Sequence, residues 1–286
     1  MAEEESEAKK LYDEFEGLNT RERLERRFVG GKPPEFIVRQ TELLEKIAGM
    51  AAADSVPILL RIATEHLERV ETMGARDFRL SPLQAIQVPI VDALSQHASH
   101  DDVRRSLARL SGSAVIKEYA KGRALDVLVV HEVGLISDGD DPKGEKRAKV
   151  LLEMLIGSLT LGEVLQAPGR LRSLARRAVG IGGGNPVAPW RALAAAADSP
   201  GKRYAADAAL AVACVQKEIK GEPLMLPTKE MLVAACGRWL KEYRPEAQKQ
   251  KYPSDLLGEA ILRLGARLGY DPLAQPLRDA KLIPPE

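Results

Sequence analysis

His100-Asp101-Asp102-Val103-Arg104-Arg105-Ser106-Leu107-Ala108-Arg109-Leu110 is the stretch whose reading decides the fold. The spacing predicts a short helix with an Asp at its start and Val103, Leu107 and Leu110 on one face. An apolar helical stretch precedes it, from Pro89 to Leu94. Another follows the break at Ser111-Gly112-Ser113 and runs from Ala114 to Ile136. Helix, tight turn and helix make a hairpin, and the chain repeats it. Asp54, Asp101, Asp141, Asp198 and Asp255 each follow a helical segment after a short break, and each opens another apolar-striped helix. Their spacings are 47, 40, 57 and 57 residues. A two-helix repeat takes ~40–47 residues, so the later units carry insertions or an extra turn.

With these residues in view, the chain resembles the HEAT-repeat family. Asp101-Asp102-Val103-Arg104 looks like that family's Asp-x-x-Val-Arg signature, with the Asp in the turn and a basic residue early in the second helix. Asp141 with Lys146-Arg147, and Asp198 with Lys202-Arg203, are looser copies; Asp54 and Asp255 lack the basic residue. The resemblance covers residues 35–270. It implies an all-α fold in which helical hairpins stack as a HEAT-like α-solenoid, roughly eleven helices in all. It also implies that Asp101 and Arg104 ladder between neighbouring repeats, and that one concave face presents exposed side chains. No single hairpin buries its apolar face alone, so stacking must make the core. A different all-helical bundle with Asp-capped hairpins is the alternative. Residues 1–34 stand apart as a charged N-terminal helix or arm, and residues 271–286, with four prolines, form a C-terminal tail along the last repeat.

Composition agrees with a helical, globular chain. Ala, Leu, Glu and Arg are the most frequent of the 286 residues, and aromatic residues are only 4%. These side chains lose little entropy in a helix. A chain of this length can bury roughly 75% of its unfolded surface, so it needs no staples. The 42 basic residues nearly balance the 41 acidic ones, which argues against a dedicated nucleic-acid or membrane-surface protein. Cys214 and Cys236 lie in Ala/Val/Leu-rich helices and read as buried free thiols without activating neighbours. No apolar run reaches the ~18 residues that a membrane span needs. The expected compartment is cytoplasmic, with a mature secreted form as the alternative.

Along the arm, Leu11, Phe15 and Leu18 give a narrow apolar stripe, and Arg21, Arg23, Arg26 and Arg27 cluster before the breaker Gly30-Gly31-Lys32-Pro33-Pro34. The arm either caps the core or docks on a partner. Asp54 and Ser55 are expected to cap a helix that tolerates Pro57. Ser81-Pro82 opens another, which Pro89 should kink. Ala114 to Ile136 is apolar on most sides and reads as the most buried helix. Pro168-Gly169 is a break, and Thr228 and Asp255 are expected caps.

The constellations that could carry chemistry are few. His97, His100, Asp101 and Asp102 are the densest set of metal-ligand types, but they straddle a helix end and read as turn polars. His131-Glu132, in the apolar helix, would be an acid/base pair if that helix lined a pocket. Adjacent helical residues point about 100° apart, so they need separate partners. Asp138-Gly139-Asp140-Asp141 lacks the ligand order of a calcium loop. Gly180 to Asn185 follows a helix rather than a strand and lacks the dinucleotide fingerprint. Arg170, Arg172, Arg176 and Arg177 place Arg172 and Arg176 opposite Leu171, Leu174 and Ala178.

The expected function is therefore a protein-binding helical-repeat scaffold or adaptor with no catalytic activity of its own and no cofactor or metal. Its candidate contacts are Arg104, Arg105, Arg172, Arg176, Lys202 and Arg203. The first alternative is nucleic-acid binding, in which the arginine cluster contacts phosphates. Because some HEAT-like proteins are DNA glycosylases, the resemblance leaves room for repair chemistry in that alternative. The second is a small-molecule or enzymatic role around His131 and Glu132. Fold does not decide among these.

Overall fold

A computed structural model describes residues 6–20, 23, 33–73, 82–137, 139–181, 185–222, 224–250, 255–268 and 271–284. Arg21, Arg26, Arg27, the breaker from Gly30 to Lys32, Ser81, Asp138 and Gly182 to Gly184 lie outside the described residues. Helix is the only regular structure among those described. Fourteen helices have six residues or more, against the roughly eleven expected. The three extra ones come from the arm, from the tail and from one helix split by a π-turn. The chain divides into two compact units, residues 1–131 and 132–286.

The first unit contains α1 (Glu7–Gly17), α2 (Glu35–Ala48), α3 (Ala52–Met73), α4 (Pro82–Ala85), α5 (Gln87–Ser95), α6 (Asp101–Gly112) and most of α7 (Glu118–Gly134). Val103, Leu107 and Leu110 are buried, as their spacing predicts. Pro89 does more than kink its helix. It has no N–H for the Ala85 carbonyl and its ring crowds that oxygen, so the helix breaks at Ile86 into α4 and α5. Around these helices the contacts follow chain order. α1 packs on α2 and α3, α2 on α3 and α5, α3 on α5 and α6, and α5 on α6. Apart from the one-turn α4, the contacts among α1 to α6 are with the next helix and the next but one, and among the described residues α7 makes no comparable contact with another helix.

The arm helix α1 is held in this stack on a face rotated from the expected stripe. Ala8, Tyr12 and Phe15 are buried, while Leu11 is only half-buried. The reason is polar. The Tyr12 hydroxyl lies 2.9 Å from both carboxylate oxygens of Glu65, and the Arg61 guanidinium sits 4.5 Å above the Tyr12 ring. Burial and the Glu65 carboxylate push the Tyr12 hydroxyl up to about 12. Arg69 pairs with Glu16, and Arg39 with Glu14 at 2.7 Å.

The second unit contains α8 (Glu145–Leu155), α9 (Leu161–Val164), α10 (Pro168–Ala178), α11 (Ala188–Ala196), α12 (Pro200–Ile219) and α13 (Leu226–Arg238). A π-turn at Trp239–Tyr243 leads into α14 (Arg244–Lys249), and α15 (Leu256–Leu268) and α16 (Asp271–Asp279) complete it. The same order of contacts holds. α8 packs on α10 and α11, α10 on α11 and α12, and α11 on α12. Beyond them α12 packs on α13 and α15, α13 on α15 and α16, and α15 on α16. The insertions implied by the longer spacings are α9 and α14. Both are short, they pack on each other, and α9 lies on α12.

That cover makes α12, not α7, the buried helix. From Gly201 to Ala211 every α12 residue except Arg203 is buried. In α7, Tyr119 and Val130 are exposed by 57% and 48%. Six alanines between Ala205 and Ala213 let neighbours approach α12 on all sides, but they add little to an apolar count. Gly201 marks the closest approach: a Cβ there would lie 2.5 Å from the Leu159 carbonyl oxygen.

Candidate functional site

The five Asp turns differ in what they hold. Asp101 is the first residue of α6 and does not cap it. It pairs with Arg104 in its own helix, one turn on. Arg104 also donates to the carbonyls of Ala98 (2.9 Å) and Ser99 (2.7 Å). It ties the turn between α5 and α6 rather than facing outward. Arg105 pairs with Asp102, with both side chains mostly in water.

Asp141 lies three residues before the helix-capping Gly144, whose φ of 72° is left-handed. Its buried carboxylate accepts the backbone N–H of Lys146 (3.0 Å) and of Arg147 (2.9 Å) and pairs with the Arg147 guanidinium at 3.1 Å. The hydrogen bonds and charge hold the Asp141 carboxyl below its ordinary value against the opposing effect of burial. Asp198 pairs with Lys202 at 3.0 Å, and Lys202 also reaches Glu153, so this lysine is buried. Ser199, not Asp198, caps α12, accepting from the Lys202 N–H.

Asp255, which lacks a basic partner in sequence, finds aromatic ones. It caps α15 through the Gly258 N–H (3.0 Å) and accepts from the Tyr204 hydroxyl (3.0 Å) and the Trp239 indole (2.7 Å). Beside it, Arg238 grips Asp207 with two bonds of 2.7 Å, and Tyr243 stands edge-on to Tyr204. The π-turn brings Trp239 and Tyr243 into this cluster. No spacing rule finds such partners, because they lie 16–51 residues apart. Asp54 lies inside the first turn of α3, which begins at Ala52. Ser55 is not a cap: it is buried, 2.9 Å from His97 Nε2, which is also 2.9 Å from the Ala48 carbonyl. A carbonyl can only accept, so Nε2 carries the proton and is no metal ligand. Among the described residues no group of three His, Cys, Asp or Glu is placed to hold a metal ion.

Of the remaining candidates, Arg172 and Arg176 stand exposed on α10 in one strip with Gly169 and Val179. Arg176 donates to Ser173 Oγ at 3.1 Å, and Arg170 to the Leu155 carbonyl at 3.2 Å. Arg203 is exposed near the start of α12. His131 is half-buried and Glu132 exposed in the last turn of α7.

A feature the sequence did not suggest lies where α11 and α13 begin and α12 ends. Trp190, Leu224 and Met225 wall a small cleft over Cys214, with Lys217 and Thr228 as its other polar lining. Its empty volume is about 240 Å³, including space open to solvent. Burial pushes the Cys214 thiol up to about 12, so it is a wall and not a nucleophile. Thr228 does not cap α13. The helix starts two residues earlier, at Leu226, because Pro227 has its φ already set for a first turn. That leaves Thr228 buried in the cleft lining.

Among the described residues no helix is long and apolar enough to cross a membrane. Comparison with protein-family models, with curated proteins and with solved structures finds no match.

Proposed function

We propose that this chain is a helical-hairpin repeat protein, HEAT-like in arrangement, that works by binding another protein and not by catalysing a reaction. Support for the arrangement comes from the order of contacts. In both units most helices pack on the next helix, the next but one or both, the order expected when hairpins stack in two layers. The Asp-led turns are the joints of that stack.

The contact surface is the outer strip of α10. The observation that carries this reading is the division of the basic residues. Arg104, Arg147 and Lys202 are taken up by turns, whereas Arg172 is exposed on α10, with Arg176 one helical turn on, also exposed and bonded to Ser173 of its own helix. Val179, 64% exposed, adds an apolar end to the same strip. Guanidinium groups steer an acidic partner into register, and apolar contact supplies affinity.

The double variant Arg172→Glu, Arg176→Glu reverses the strip's charge and removes no buried atom. It is expected to abolish partner binding while the melting temperature falls by no more than a few degrees, because exposed substitutions cost about 0.5 kcal/mol or less. Unchanged affinity would remove α10 from the interface. If the ligand were nucleic acid, affinity would instead fall steeply with salt as phosphate counterions are displaced.

A further inference from the structure

The face that α2 and α3 turn toward α1 reads that helix residue by residue. Arg61, Glu65 and Arg69 stand one helical turn apart on α3 and meet Tyr12 and Glu16, one turn apart on α1. Tyr12 with Glu65, and Glu16 with Arg69, are both pairings across 53 residues, so the two helices run parallel and in register. From α2, Arg39 takes Glu14, and the buried Gln40 donates to the Asn19 side chain at 2.8 Å. Phe15, between Glu14 and Glu16, is 2% exposed. A phenol, a phenyl three residues on and a carboxylate on each side of the phenyl are thus met by separate groups.

This hold depends more on polar contacts than on burial. α1 buries three of its eleven residues, Ala8, Tyr12 and Phe15, whereas α2, one helix further in, buries six of fourteen. Leu11 and Leu18 stay half-buried. The Arg39–Glu14 pair is partly in water, with side chains 39% and 45% exposed, and such pairs gain little. A helix at the end of a stack has neighbours on one side only and opens before the interior does. The face beneath needs a helix over it, but stacking does not require that the helix come from the same chain.

We propose that α1 is a displaceable strap over a partner-binding face, and that a partner protein's helix with the same anchors takes its place on α2 and α3. Those anchors are a Tyr, a Phe three residues on and acidic residues flanking the Phe. The partner displaces α1 by mass action, against the high local concentration that tethering gives the arm. This surface belongs to the first unit and is separate from the α10 strip of the second.

The test uses the full chain and a fluorescein-labelled peptide of residues 6–20, read by fluorescence polarisation. The wild type is expected to bind it weakly, because its own arm competes. Tyr12→Ala, Phe15→Ala in the chain removes the arm's anchors and leaves α2 and α3 unaltered. This variant is expected to bind the peptide at least tenfold more tightly. Adding Glu65→Ala to it, with the melting temperature unchanged, or Tyr12→Phe to the peptide, is expected to weaken binding again, since each removes one side of the phenol's hydrogen bond. No binding by the arm variant, or equal binding by the arm variant and the wild type, would overturn the proposal. So would an arm variant that fails to fold, because α1 would then belong to the core. Hydrogen exchange on the wild type needs no variant. The α1 amides are expected to exchange well ahead of those in α2 and α3, and exchange in step with them would overturn the strap. Wild-type chains that double in mass on concentration, and return to single mass when the peptide is added, would make the occupant a second copy's α1 and overturn the partner assignment.

Discussion

The turn before α6 and the turn before α8 carry the same chemistry, an Asp followed by an Arg, and the fold uses them differently. The Asp101 side chain is 78% exposed, and its pairing with Arg104 is made at the surface. The Asp141 side chain is 4% exposed and that of its partner Arg147 is 7% exposed. An exposed ion pair gains little because water already solvates both charges. A buried pair that loses one member leaves the other charged and without water. Sequence pattern therefore specifies the partnership, and burial sets its energy.

The largest effect expected from this comparison belongs to Asp141→Ala. It removes the carboxylate that accepts two backbone N–H groups and balances the buried Arg147 charge, and should cost about 3–5 kcal/mol in chemical denaturation. Asp101→Ala should cost about 1 kcal/mol or less. Equal costs would break the comparison. Replacing Asp141 and Arg147 together, with Leu and Met, should be milder than Asp141→Ala alone, since no charge is then stranded. Asp255→Ala comes next, at about 2–4 kcal/mol, because it removes a cap and orphans the Tyr204 hydroxyl and the Trp239 indole.

Acid sharpens the comparison between the units. His66 in α3 is buried with Nε2 unpartnered, and desolvation, aided by Arg69, lowers its proton affinity from 6.5 to about 4. The unfolded chain takes up this proton at a pH where the folded chain does not. Stability is therefore lost as pH falls from about 6.5 through about 4, by up to roughly 3 kcal/mol, and levels off below. Asp141 works at lower pH. Its depressed folded value keeps its contribution intact above the ordinary 3.8, and that contribution is lost as pH falls through the lower value. Residue-resolved hydrogen exchange should show the first unit weakening before the second on acidification, and His66→Leu should flatten the slope between pH 6.5 and 4. Arg104→Ala should cost about 1–2 kcal/mol, from two carbonyls and an exposed pair, which leaves Asp101→Ala as the smallest effect.

Much of the helical order could be read from residue spacing. Val103, Leu107 and Leu110 declared their face, Pro168 its break, and Asp255 its cap. What could not be read has a physical cause in each case. The burial of α12 comes from alanines that admit neighbours closely and from short insertions folded over them. The buried face of α1 is chosen by one Tyr12–Glu65 contact across 53 residues. Thr228 looked like a cap because its type suits one, and Pro227 moved the helix start past it. The strip on α10 was legible as spacing, but the loss of Arg104 and Lys202 to the turns was not. Side-chain type says that an arginine can reach outward, and only packing says whether a carbonyl has already taken it.

The central claim, that exposed arginines on α10 receive a protein partner, is tested most directly by affinity capture from nuclease-treated lysate, with wild type and Arg172→Glu, Arg176→Glu side by side. The account predicts a stoichiometric protein retained by the wild type and absent from the variant. Equal retention by both, or capture that disappears with nuclease, would contradict it.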